Sequence, residues 1–133
     1  MSENRQTLKT IGIVGLGLIG GSMALALQKH AQGRYTILGI DTNPEVMAAA
    51  LSSGAVAGQL TPDRYGEVDL LVLALAPDRL LAFLQEQIPQ IPPGTIVTDV
   101  CGVKEVICRQ CVPLCREHGV WFLGGHPMAG KEA

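Results

Sequence analysis

Short apolar runs alternate along this chain with longer stretches of helical periodicity. Thr10 to Val14 (TIGIV) reads as a strand buried on both faces. Leu18 to about Ala31 follows as an apolar helix, with SMALALQKHA as its body. Tyr35 to Ile40 (YTILGI) is a second strand. Asn43-Pro44-Glu45 opens the next helix, since Asn43 suits the cap, Pro44 the first turn and Glu45 the positive end. That helix runs through VMAAALSS to Gly54. The segment AVAGQLTPDRYGEV is turn-rich, broken by Pro62, Asp63 and Gly66. Asp69 to Leu75 (DLLVLAL) is a third buried strand, and PDRLLAFLQEQI an amphipathic helix opened by Pro77. The prolines and glycine of IPQIPPG predict a loop before a fourth strand, Thr95 to Val100 (TIVTDV). Lys104 to His118 is a helix that Pro113 should kink or shorten. Gly119 ends it, and Val120 to Leu123 (VWFL) is a fifth strand.

Strands separated by helices of this length pair in parallel through right-handed crossovers. The expected fold is α/β, a Rossmann-type doubly wound parallel sheet in three layers. Residues 1–9 read as a polar tail and 10–133 as one domain, with no internal repeat, linker or low-complexity segment.

Composition narrows the function classes. The chain has 133 residues, 47% hydrophobic and 17% charged, which excludes a disordered chain. A net charge of −2 without any basic run argues against a nucleic-acid partner. The polar start MSENRQTLKT lacks a signal-peptide core, and no apolar stretch reaches the ~18 residues of a membrane span. The reading is a cytoplasmic domain with no membrane partner. Cys108, Cys111 and Cys115 step by three and four residues, so they share one helix face and are expected to pack as small buried hydrophobes. Together with Cys101 they match neither zinc nor iron–sulfur spacing, and no metal is expected. His118 reads as a helix-end residue.

The chemistry begins at Gly15-Leu16-Gly17-Leu18-Ile19-Gly20, a GxGxxG between a strand and a helix. Gly15 permits the tight turn, Gly17 lets a pyrophosphate approach, and Gly20 lets the helix pack on the strand. The helix N-terminus then faces the phosphates with free N–H groups. Ser22 either adds a hydroxyl there or faces inward. Asp41 ends the second strand where a carboxylate would hold the adenine ribose diol, the alternative being a turn residue that caps the next helix. Thr42 and Asn43 follow it, with no Arg or Lys for a 2′-phosphate, which favours NAD over NADP. The carbonyl ends of Leu75 and Ala76, with Pro77, are expected beside the nicotinamide-side ribose.

From Thr10 onward the chain resembles the nucleotide-binding half of the prephenate and arogenate dehydrogenase family. IGIVGLGLIGGS, TIVTDVCGVK and above all GGHPMAGKEA carry the resemblance. It implies an NAD-dependent oxidative decarboxylation of prephenate or arogenate in tyrosine biosynthesis, with His126 as the catalytic group accepting the hydrogen bond of the ring hydroxyl. Pro127 holds the backbone extended at His126, and Gly124 and Gly125 leave room beside it. Lys104, kept from the family pattern, holds substrate or sits in the helix's first turn. Many members carry Gly-Ser-Val-Lys after the fourth strand; here the stretch is Cys101-Gly102-Val103-Lys104, so no hydroxyl stands at Gly102. Either water replaces it or this branch works without it. The resemblance further implies a C-terminal helical domain, absent from this chain, that dimerises the enzyme and completes the substrate pocket. The chain is therefore expected to bind NAD and to turn over little substrate alone. Two rival readings share the glycine motif: a dehydrogenase of the 3-hydroxyacid type, and an NAD-binding module without chemistry.

Overall fold

The computed structural model describes residues 9–31, 33–100 and 105–123. Its elements, in chain order, are β1 (Thr10–Val14), α1 (Leu18–Ala31), β2 (Thr36–Ile40), α2 (Pro44–Ser52), β3 (Gly58–Gln59), β4 (Leu70–Leu73), α3 (Pro77–Gln87), β5 (Ile96–Asp99), α4 (Glu105–Glu117) and β6 (Trp121–Leu123). Short 3₁₀ turns, Pro62–Glu67 and Ile88–Gln90, occupy parts of the two segments expected as turns and loops. The strands form one parallel sheet in the order β3-β2-β1-β4-β5-β6. This is the doubly wound Rossmann arrangement, with its strand order reversing between β1 and β4.

Both faces of the sheet are covered, which explains the apolar strands. Neighbouring residues of one strand enter opposite cores. Ile11, Ile13, Ile37 and Val72 pack with Ala24 of α1 and with Met47 and Ala50 of α2. Val14, Leu38, Leu71, Leu73 and Val97 pack with Leu80 and Leu84 of α3 and with Cys111 and Cys115 of α4. Asn43 caps α2 as its position suggests, its Oδ1 accepting from the N–H groups of Glu45 at 2.9 Å and Val46 at 3.4 Å.

The structure differs from the sequence reading at three places. A sixth strand, β3, pairs Gly58 and Gln59 with Leu38 and Gly39. Two residues, one of them glycine, carry no apolar alternation, so only the neighbouring strand makes this segment a strand. The third predicted strand is also shorter: β4 ends at Leu73, and the chain turns before Leu75. Finally, α4 runs through Pro113 to Glu117 and is not shortened there. Pro113 lies on the exposed side of the helix, where its ring meets water rather than the sheet.

Cys111 and Cys115 face the sheet and are fully buried, with Cys108 half-buried on the same helix. Burial pushes the Cys111 thiol up to about 12, with Cys115, Cys108 and Asp99 adding to the effect. Burial lifts Cys115 to about 11. An acid whose pKa rises on folding keeps its proton in the native state, so its stabilisation is complete below the unfolded value and is lost as pH climbs through the folded one. Stability is therefore expected to fall from about pH 9 upward. Urea midpoints followed from pH 7 to 10 check this: the C111A/C115A double variant should show a shallower alkaline decline than the native chain.

Candidate dinucleotide-binding site

The glycine loop lies at the carboxyl edge of the sheet, wedged between the ends of β2 and β4. Gly15 has φ of +94° and donates its N–H to the Ile40 carbonyl at 2.8 Å. A Cβ at Gly15 would approach the Ala74 carbonyl oxygen to 2.5 Å. A Cβ at Gly20 would fall on the Gly15 carbonyl oxygen, so the first turn of α1 rests directly on the loop. Gly17 is the opposite case: a Cβ there meets nothing within 4 Å. The loop is thus closed on the protein side and open on its outer lip, the shape a close-approaching phosphate requires.

The first hydrogen bond of α1 runs from the Gly21 N–H to the Gly17 carbonyl at 2.8 Å. The N–H groups of Leu18, Ile19 and Gly20 have no acceptor within the helix, as in any first turn. With the positive end of the dipole they form an anion-binding position. Leu18 is 88% exposed and Ile19 about half exposed, so their side chains leave the backbone accessible. Leu16 behaves differently. Its side chain is buried in the core beneath α1 and α2, and its N–H is already committed. It donates to Asp41 Oδ2 at 2.7 Å.

Asp41 therefore has a structural role, and its tie to the glycine loop is the part that sequence reasoning missed. Its Oδ1 accepts from the Asn43 N–H at 2.9 Å, so one carboxylate ties the glycine loop to the start of α2. Each carboxylate oxygen has two lone pairs, and one on each stays available to a ribose hydroxyl. Asp41 also lines a cleft of about 170 Å³ with Val14, Gly15, Ile40, Thr42, Leu75, Arg79 and Phe83. Sites for a whole drug-sized ligand run to roughly 300 Å³ or more. This cleft suits one end of a dinucleotide, with apolar walls for a base and a carboxylate for its ribose.

Ala76 and Pro77 stand at the start of α3, where Ala76 is the extended N-cap residue and Pro77 the first helical residue. Leu75, expected with them, lines the Asp41 cleft. Ser22 is exposed on α1. Lys104 and His126, with Cys101 and Gly102, lie outside the described residues. Thr42 lines the cleft beside Asp41, and Arg79 and Phe83 are lining side chains from α3 that sequence reasoning left out. Arg79 and Phe83 are four apart in the helix after β4, so they share a face. That spacing, next to the strand-order reversal, was the available signal. His118 closes the end of α4, its Nδ1 3.1 Å from the Leu114 carbonyl oxygen. Among the described residues no group of three or more His, Cys, Asp or Glu is placed to hold a metal. No helix of the described residues is long and apolar enough to cross a membrane.

Residues 23–133 match the family model described as the prephenate dehydrogenase nucleotide-binding domain. The chain belongs to this family. The match starts inside α1, after the glycine motif. Within the family, the prephenate dehydrogenase of Bacillus subtilis is 35% identical over 132 residues, covering 95% of this chain and 34% of that protein. The arogenate dehydrogenase of Synechocystis superposes with a TM-score of 0.76 at 30% identity, covering 93% of this chain and 42% of the other. The prephenate dehydrogenase of Aquifex aeolicus, solved with hydroxyphenyl propionate and NAD+, gives a TM-score of 0.78 at 25% identity, over 97% of this chain and 45% of the other. The chain spans about a third of the length of the curated relatives it matches.

Proposed function

We propose that this chain is the NAD-binding half of a prephenate dehydrogenase, with residues 10–133 forming the dinucleotide domain and a further helical domain completing the substrate pocket and the dimer. The observation that carries the reading is the pairing of an open-lipped glycine loop with the Asp41 cleft at the strand-order reversal. Family membership and the NAD+-bound Aquifex relative support it.

In this reading the backbone N–H groups at the start of α1 hold the pyrophosphate, and Asp41 accepts from the ribose hydroxyls of the adenosine end. Bound NAD supplies the hydride acceptor. His126 accepts the proton of the ring hydroxyl as the substrate is oxidised, carbon dioxide leaves, and the ring becomes aromatic. A neutral imidazole titrates near working pH, which suits it to this step. Lys104 holds the substrate in this reading. Without a hydroxyl at Gly102, water takes that place or the site works without it.

The test is NADH formation by the full-length protein that carries this domain, with prephenate and arogenate offered separately. Turnover with prephenate is the expected result, and preference for arogenate would reassign the substrate within the same chemistry. Tight NAD binding without turnover of either would reduce the chain to a non-catalytic NAD module.

A further inference from the structure

The sequence offers no cation after Asp41, and this alone favoured NAD over NADP. The fold changes that picture. Arg79 comes from the first turn of α3 and lines the same cleft as Asp41 and Thr42. It is exposed, and among the described residues no carboxylate forms an ion pair with it. Asp41 shares the cleft with Arg79 but forms no ion pair with it, and its oxygens accept the Leu16 and Asn43 N–H groups. Arg79 and Phe83 present a guanidinium and a ring from one helix face to a cleft otherwise walled by Val14, Ile40 and Leu75. A planar guanidinium stacks well on a planar base and also binds phosphate with a fork of donors.

We infer that Arg79 binds the adenosine end of the dinucleotide, and that Asp41 alone keeps this site from accepting a 2′-phosphate. The inference rests on the nucleotide reading of the cleft. With NAD, the carboxylate takes the ribose diol while the guanidinium lies against the base. A 2′-phosphate would meet the same carboxylate and be repelled. Once that charge is removed, three donors remain for the phosphate: the Arg79 guanidinium, the Thr42 hydroxyl, and the Asn43 N–H that Asp41 now occupies. The cation that a basic residue after β2 would supply to an NADP site is here provided from α3, across the cleft.

The experiment is calorimetric titration of the 133-residue chain and its variants with NAD, NADP, 5′-AMP and nicotinamide mononucleotide. Arg79→Gln should weaken NAD and 5′-AMP by ~5–20-fold while leaving nicotinamide mononucleotide unchanged. A general loosening of the fold would move all three. Asp41→Asn should weaken NAD and raise NADP affinity by ~10-fold or more, and adding Arg79→Gln should remove that gain. Asp41→Asn also alters the acceptor of the Leu16 N–H, so circular dichroism accompanies it, and Arg79→Gln on the native background decides the Arg79 contact by itself. NAD and 5′-AMP affinities within twofold of native in Arg79→Gln would overturn the inference. So would an Asp41→Asn/Arg79→Gln double variant that binds NADP as well as Asp41→Asn. A native chain that binds neither NAD nor 5′-AMP would overturn the nucleotide reading itself.

Discussion

Gly20→Ala is expected to weaken the fold and abolish useful dinucleotide binding. The added Cβ would fall on the Gly15 carbonyl oxygen, with the Ala74 side chain 3.1 Å away. Both the helix turn and the loop backbone are packed, so neither yields as a flexible side chain would. Overpacking of this kind costs about 1–3 kcal/mol. The loop that must shift carries the N–H groups aimed at the pyrophosphate, and each hydrogen bond to a charged group is worth roughly 1.5–3 kcal/mol. Losing one or two of them lowers NAD affinity by roughly 10- to 100-fold or more. Gly17→Ala separates the two effects. Its methyl meets no protein atom within 4 Å, so the denaturation midpoint should hardly change. It would nevertheless occupy the open lip where the phosphate approaches, and NAD affinity should drop. Urea denaturation and NAD titration of both variants check the pair. Equal loss of stability in the two would refute the division of roles between a closed inner side and an open lip.

His126→Asn in the full-length protein is expected to cost ~10²–10⁴-fold in kcat with NAD affinity unchanged. Asparagine keeps a hydrogen-bonding side chain of similar reach but cannot take up a proton at neutral pH. Steady-state rates at saturating substrate, with NAD titration alongside, give both quantities. A fall of only a few-fold would move the base elsewhere on the site, and a parallel loss of NAD binding would make His126 a cofactor contact instead.

The glycine motif was legible because each glycine answers a local demand. A left-handed φ at Gly15, a helix turn pressed on a loop at Gly20 and open space at Gly17 all arise within six residues of chain. The helix face of Cys111 and Cys115 was legible for the same reason, since i,i+4 spacing sets a shared direction and both thiols are fully buried. Asp41 was half legible. Its place at the end of β2 marked it for the ribose, but its bond to the Leu16 N–H depends on a loop 25 residues away in sequence. Leu16 was grouped with the loop residues, yet its side chain belongs to the core and its N–H to Asp41.

By itself, then, the sequence determined the alternation of strands and helices, the burial of the sheet on both faces, and the glycine loop at its carboxyl edge. These follow from hydrophobic period and backbone sterics, which act over one turn or one strand. Tertiary structure decided the rest. It made Gly58 and Gln59 a strand by offering them the edge of β2. It let α4 pass through Pro113, because the proline falls on the solvent side. It also carried Arg79 and Phe83 to the cleft of Asp41. The physical reason for the strand and for the cleft is shared: each depends on groups far apart in the chain meeting at one place, whereas the side on which Pro113 falls follows from its helix spacing to Cys111 and Cys115.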